Sequence, residues 1–209
     1  MESVFKKITS LYSGNLAKYG DQSKAVGWKT PESQKLRFDK LTSVIEDKSK
    51  PVTINDYGCG YCAYLDYLVN NGFNVIAYNG YDLSTEMLQE AKLRLSWFKG
   101  EMNLIQSSEI TTQADYTFVS GTFNVRFEST DNDWEKFIKG KLAEISQFSS
   151  LGFSFNLLSK YVDWRDADLF YADPCFWFDY VKVNLARKVN ILHDYPLYEW
   201  TIIVQKDVQ

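Results

Sequence analysis

The segment Asp56-Tyr57-Gly58-Cys59-Gly60 sets an acid two residues ahead of the first of two closely spaced glycines, directly after the β-rich run Val52-Thr53-Ile54. Glycines at a strand-to-helix turn let the backbone fold tightly and let a ligand lie against it, while the first amides of the following helix face outward. Asp82 ends the next strand-like run, Val75-Ile76-Ala77-Tyr78 onward, at about the separation where an acid accepts hydrogen bonds from ribose hydroxyls. Three chemistries compete for this loop. Gly58, Gly60 and Ala63 satisfy the loose dinucleotide pattern, although no Tyr is followed four residues later by Lys and no second domain is visible. Cys59 and Cys62 form a C-x-x-C at a helix N-terminus, where thiol acidity can rise. No proline lies between Pro51 and Pro174 to face such a dithiol, and one histidine with no second cysteine pair is too little for a metal site. Two small buried hydrophobes are the plain alternative for these cysteines. The third chemistry follows from Asp56, whose charge is unsuited to a pyrophosphate but complements a cationic amino-acid moiety.

Candidates for a second substrate cluster at the ends of later strand-like runs. Ser120, Asn124 and Arg126 follow one, and Asn156 and Lys160 follow another. His193 ends a further run beside Asp194, with Tyr195 and Tyr198 opening the last strand. A histidine so placed is a candidate general base for an acceptor that is protonated at neutral pH. Toward the N-terminus, Trp28 and Phe38 can form an apolar wall near Gln34, and Arg37 can hold a carboxylate or phosphate. Core packing and solvated loops are the competing readings for these aromatics and charges.

The elements that must position these residues follow from periodicity. Helical spacing marks Val4, Ile8 and Leu11, then Leu36, Phe38, Leu41, Val44 and Ile45, with a loop across 20–30. A strand, tight turn, helix, strand, helix succession covers 52–95, with Ser84 an N-cap and Glu86 in the first turn. Strands at 102–106, 116–120 and 153–158, with a helix at 134–148, continue the alternation. Residues 160–184 break it with aromatics and with Asp163, Asp166, Asp168 and Asp173 ahead of Pro174, and read as an inserted loop and short helix over the sheet; 189–192 and 199–205 are close enough to form a hairpin. The expected architecture is α/β: a doubly wound, mainly parallel seven-stranded sheet with helices on both faces and a C-terminal antiparallel hairpin. One domain is expected, with 1–50 a helical cap, 51–160 the ligand-binding core, 160–184 the insertion and 185–209 the hairpin.

Charge and composition exclude some functions. With 23 basic and 27 acidic side chains, net charge −4, the 209-residue chain offers no broad phosphate-binding surface, so nucleic acid is not an expected partner. No apolar run approaches a membrane span, and three cysteines fit a reducing cytoplasm. A small molecule is the expected partner; oligomeric state has no signature.

The stretch 54–60 resembles the first motif of class I S-adenosylmethionine-dependent methyltransferases, a strand ending in acid-x-Gly-x-Gly. Tyr81-Asp82-Leu83-Ser84, with Met87, Leu88 and Ala91, is similar to the family's ribose-binding acid and following helix. Similarity extends through 114–124 and 152–153, and covers roughly residues 25–206. It implies S-adenosylmethionine as cofactor, S-adenosylhomocysteine as product, and cofactor contacts at Asp56, Tyr57, Gly58, Cys59, Gly60, Asp82, Leu83, Met87, Ser108, Ser120, Trp28 and Arg37. The implied activity is methyl transfer to a small polar acceptor, a saccharide or other metabolite. A non-catalytic cofactor-binding module and a nicotinamide-dependent oxidoreductase are the alternatives. Two departures stand out: Cys62 occupies the place of the family's third glycine, and 106–109 offers no acid directly after the third strand, leaving Ser108 and Glu109 as adenine-side candidates.

Overall fold

Strand β1 (Val52–Tyr57) is buried along nearly its whole length, as a strand at the centre of a sheet with two covered faces must be. In the computed structural model, which describes residues 1–28 and 30–207, β1 lies between β2 (Val75–Asp82) and β4 (Ala114–Val119), both parallel to it. Lys29 and the last two residues of the 185–209 segment lie outside the described residues. Strand β3 (Glu101–Gln106) flanks β2, and β5 (Ser149–Ser159) flanks β4, again parallel. Strand β8 (Glu199–Gln205) pairs antiparallel with β5, and β7 (Lys188–Leu192) antiparallel with β8, so the order is β3-β2-β1-β4-β5-β8-β7. Two antiparallel steps restore direction: β7 runs parallel to β1, and its carboxyl end faces the same edge. A two-residue β6 (Tyr171–Ala172) adds to the tip of β5 as an eighth strand beyond the seven expected.

The chain leaves β1 toward β2 on one side and returns to β4 on the other, which opens a crevice at the carboxyl ends of β1 and β4. Strand alternation fills both faces of the sheet. From β8, Trp200, Ile202 and Val204 join a core beneath α5 (Asp131–Gln147) and α6 (Pro174–Asn184), where Trp134, Ile138 and Trp177 are buried. Ile203 points the other way, into a core with Ile54, Phe118, Leu65 and Leu88 under α2 (Pro31–Thr42), α3 (Ala63–Asn70) and α4 (Thr85–Arg94). Each fully buried large apolar side chain contributes about 1.5–3 kcal/mol relative to exposure, so this two-sided pattern sets the register.

Helix starts carry local signals. Thr30 and Ser33 form a capping box with Pro31 at the first helical position of α2; the side chains of Ser84, Thr130 and Asp173 accept from the first turns of α4, α5 and α6. Within the segment read as an insertion, α6 is eleven residues long and is the crossover that leads from β5 to β7. Its polar, aspartate-rich approach obscures an ordinary crossover. Helix α1 (Glu2–Tyr19) continues well past the short apolar spacing that marks its start. Among the described residues no helix is long and apolar enough to cross a membrane.

Candidate active site

The turn after β1 is built so that backbone, not side chain, faces the crevice. Gly58 has φ 77°, and a Cβ there would come within 2.1 Å of Thr122 Oγ1, which itself donates to the Tyr57 carbonyl at 2.9 Å. The amides of Gly58 and Cys59 both donate to the Tyr81 carbonyl, at 2.8 and 3.0 Å, which locks the turn to the end of β2. Cys62 retains a left-handed backbone, φ 58°, at the position where the related motif has glycine. Its buried side chain is accommodated beneath the loop, where its sulfur and that of Cys59 both pack over Gly80. Burial, with Cys62 alongside, pushes the Cys59 thiol well above its ordinary range, which disfavours a Cys59 thiolate nucleophile, and both side chains are buried.

Asp82 receives the Gly60 amide on Oδ2 at 2.8 Å and the Ser84 amide on Oδ1 at 2.9 Å. Each oxygen keeps a lone pair, and the residue lines the cleft. Desolvation by the surrounding protein raises its carboxyl pKa, against the lowering effect of the amides of Ser84, Gly60 and Leu83. Tyr12 lies near it from α1, its hydroxyl pushed up to about 12 by burial first and the Asp82 charge second.

The cleft spans ≈ 810 Å³ when space open to solvent is counted. Of the residues singled out from sequence, Tyr57, Gly58, Gly60, Asp82, Leu83, Met87, Ser108, Ser120 and Trp28 line it. Asp56 and Cys59 line a smaller adjoining cavity, which shares Val26, Trp28, Gly58 and Ser120 with the cleft. Asp56 is only 2% exposed and accepts from the Tyr78 hydroxyl. Burial raises its carboxyl to about 7, the Tyr78 hydrogen bond opposing and the Asp82 charge adding to the shift. The Ser120 hydroxyl is buried without a hydrogen-bond partner. Ser120 lines both cavities, so its unmatched hydroxyl is available to a ligand bound there.

Several sequence candidates are committed elsewhere. Arg37 does not offer its charge to the cleft: Nε meets Glu199 Oε1 at 2.7 Å, a charge contact rather than an aligned hydrogen bond, and Nη1 donates to the Ser33 carbonyl at 3.0 Å. Asn156 is fully buried, accepting from the Gly121 amide at 2.7 Å and donating to Glu199 at 3.0 Å. Asn124 accepts from the Leu158 amide, and Arg126 staples its own loop through the Phe127 and Ser129 carbonyls and Asp131. Lys160 pairs with Asp173 at 2.6 Å, Tyr195 is buried on Thr201, and Tyr198 donates to Asp163. His193 is exposed, its ring 6.2 Å from that of Tyr161 and outside the cleft lining. Side chains at strand ends can serve the frame as readily as the ligand, and spacing alone does not separate the two.

Other cleft residues were not singled out from sequence. Phe5, Ile8, Thr9 and Tyr12 of α1 form one wall, and Trp134 and Phe137 of α5 another. The first four follow an i, i+3, i+4, i+7 stripe, a legible signal for a helix face, but nothing local said what the face would cover. Among the described residues no group of three or more His, Cys, Asp or Glu is placed to hold a metal ion.

No family model matches the chain. It is 46% identical over 167 residues, 78% of this chain and 98% of the relative, to the Mycobacterium tuberculosis protein named "Putative methyltransferase Rv1506c". Among solved structures it is similar to magnesium protoporphyrin IX methyltransferase of Synechocystis PCC 6803 with bound S-adenosylmethionine, at TM-score 0.68 and 12% identity over 98% of this chain and 96% of that one. It is also similar to DhpI in complex with S-adenosylhomocysteine (TM-score 0.67, 11% identity, 98% of both chains). A small RNA methyltransferase matches at TM-score 0.64 and 16% identity, over 86% of this chain and 26% of that one. The strand order, the acid-bearing glycine turn and the relative covering more than two thirds of the sequence agree, and the chain belongs to the class I S-adenosylmethionine-dependent methyltransferases.

Proposed function

We propose that this methyltransferase holds its donor across the carboxyl ends of β1, β2 and β4 and acts on a small polar acceptor, a saccharide or other metabolite. The observation that carries the donor site is Asp82, which lines the cleft with one oxygen held by the Gly60 amide and the other by the Ser84 amide. That arrangement suits a vicinal diol. Tyr12, Tyr57, Trp134 and Phe137 provide apolar and aromatic walls for a purine, and Ser108 lies at the same end. Asp56 and the unmatched Ser120 hydroxyl suit the cationic, polar amino-acid end. Cys59, Gly60, Leu83 and Met87 complete the enclosure.

Bound S-adenosylmethionine supplies an activated methyl on a sulfonium leaving group. The protein's contribution is placement and exclusion of water, which for an in-line transfer can supply much of the barrier reduction. No His, Lys, Arg or Glu stands among the described residues lining the cleft, so the acceptor atom enters without a charged base of that kind beside it. His193 is retained only for an acceptor large enough to reach the β7 edge. In support of a ring-bearing polar acceptor, Tyr161, Trp164 and Tyr198 stand exposed beyond the carboxyl ends of β5 and β7, the edge that also carries the cleft. The charge balance supports a small molecule over a polyanion, and we place the reaction in the cytoplasm, given buried free thiols at Cys59 and Cys62.

Titration calorimetry with S-adenosylmethionine, S-adenosylhomocysteine and NAD tests the donor site. Binding of the first two is expected, with Asp82→Ala weakening them at least tenfold, since hydrogen bonds to a charged acceptor contribute about 1.5–3 kcal/mol each. Selective NAD binding, or an unchanged affinity in that variant, overturns the placement. A screen of saccharides and small metabolites with methyl-labelled donor identifies the acceptor; labelling only of macromolecules rejects the small-acceptor reading.

A further inference from the structure

Glu199 is the first residue of β8, is 0% exposed, and has no role in the donor site as described. Its contacts form a closed circuit. Oε2 accepts from Asn156 Nδ2 at 3.0 Å, and the Asn156 carbonyl oxygen accepts the Gly121 amide at 2.7 Å. Oε1 faces Arg37 Nε at 2.7 Å, and the Arg37 guanidinium lies 3.8 Å from the centre of the Trp28 ring. The Trp28 ring in turn presses on Gly121, so closely that a Cβ there would fall 2.3 Å from its edge. Trp28 and Gly121 both line the donor cleft, whereas Asn156, Glu199 and Arg37 do not.

We propose that Glu199 is a positioning residue, which through Arg37 and Asn156 holds Trp28 and Gly121 as one closely fitted wall of the cleft. The physical case rests on what each link lacks alone. Trp28 stands in the connection between a short 3₁₀ turn and α2; its amide donates to the Ser23 carbonyl at 3.0 Å, which holds the backbone but not the side-chain rotamer, and a stacked cation restricts the ring. Arg37 and Glu199 are 10% and 0% exposed at their side chains, so neither charge can turn to solvent if its partner leaves. Asn156 carries the same carboxylate's position to the Gly121 amide at the end of β4. The N-terminal segment is thereby registered to the sheet at the place where the donor's amino-acid end and the acceptor must meet.

The inference rests on the donor reading of the cleft, and the variants separate the two. Single substitutions at Arg37 or Glu199 leave a buried charge and can fail to fold. The double variant R37M/E199Q removes both charges, retains an acceptor for Asn156 and restores thermal stability toward wild type. We expect it to bind S-adenosylhomocysteine about tenfold more weakly in calorimetry, and Trp28→Leu to do the same, on the scale of losing one well-placed aromatic contact. Recovery of wild-type affinity together with stability in R37M/E199Q would make the pair merely structural and overturn the proposal. Wild-type affinity in Trp28→Leu overturns it too, even if the double variant does not fold. If instead Asp82→Ala has no effect, the donor site itself has been misplaced.

Discussion

At Cys62 the backbone demands a left-handed conformation that an L side chain adopts at a cost of roughly 1–2 kcal/mol, while its fully buried sulfur returns packing energy of similar size. Cys62→Gly is therefore expected to leave stability within about 1 kcal/mol of wild type, and Cys62→Val, β-branched at positive φ, to lose about 2 kcal/mol or more in denaturant unfolding. Equal losses in both would show that packing dominates and strain does not. Asp56 offers a second residue-scale test. With its folded carboxyl raised to about 7, the folded state holds a proton that the unfolded chain has lost between roughly pH 4 and 7. This group's contribution to stability falls as pH rises through that window and is constant above it. If the donor's ammonium sits against Asp56, binding ionises the carboxyl and releases a proton at pH 6 but not at pH 8.5. Calorimetry in buffers of different ionisation enthalpy measures this; Asp56→Asn should abolish the difference, and pH-independent proton release removes Asp56 from the donor's amino-acid end.

At the scale of elements, the loop after β3 carries no acid directly after the strand, and α5 helps to organise it. Lys141, 7% exposed, donates to the Ser108 carbonyl at 2.5 Å and pairs with Glu144 at 2.6 Å, while Glu144 accepts the Ile110 amide at 2.5 Å. The Tyr57 hydroxyl adds a bond to the same Ser108 carbonyl at 3.2 Å. This clamp sets the end of the cleft assigned to the purine. Lys141→Met is expected to weaken S-adenosylhomocysteine five- to tenfold, about 1–1.4 kcal/mol, with Lys141→Arg retaining most of the affinity. If Lys141→Met lowers the melting temperature but leaves affinity unchanged, the clamp serves stability alone. Helix α1 closes the opposite wall with Phe5, Ile8, Thr9 and Tyr12, anchored by Phe5 on Phe137 and by Ser13 on Ser84 and Glu86. A helix start was legible in the sequence from Val4, Ile8 and Leu11, but of these only Ile8 faces the cleft, and the target of the helix, formed largely by residues far along the chain, was not legible.

Over the whole molecule, the net charge of −4 and a cleft lining with no Lys or Arg among the described residues lead us to expect no partner with a phosphate backbone, although the fold resembles that of a small RNA methyltransferase. At 150 mM salt no saturable anisotropy change with a single-stranded RNA is expected up to about 100 µM protein, the weak end of non-specific nucleic-acid binding. Tight, salt-sensitive binding would refute that expectation. The sequence by itself determined the alternation of strands and helices, the hairpin, and the glycine-turn side of the cleft, because residues 52–91 form one continuous unit in which a glycine turn and a strand-end acid are fixed by short connections. Only the tertiary structure decided which later polar residues line the cleft. Arg37, Asn124 and Asn156 had suitable chemistry, yet each was taken by a partner distant in sequence, Arg37 and Asn156 by the same buried Glu199. Burial makes such polar groups satisfy one another before anything else, and which groups meet depends on strand order that local spacing does not encode.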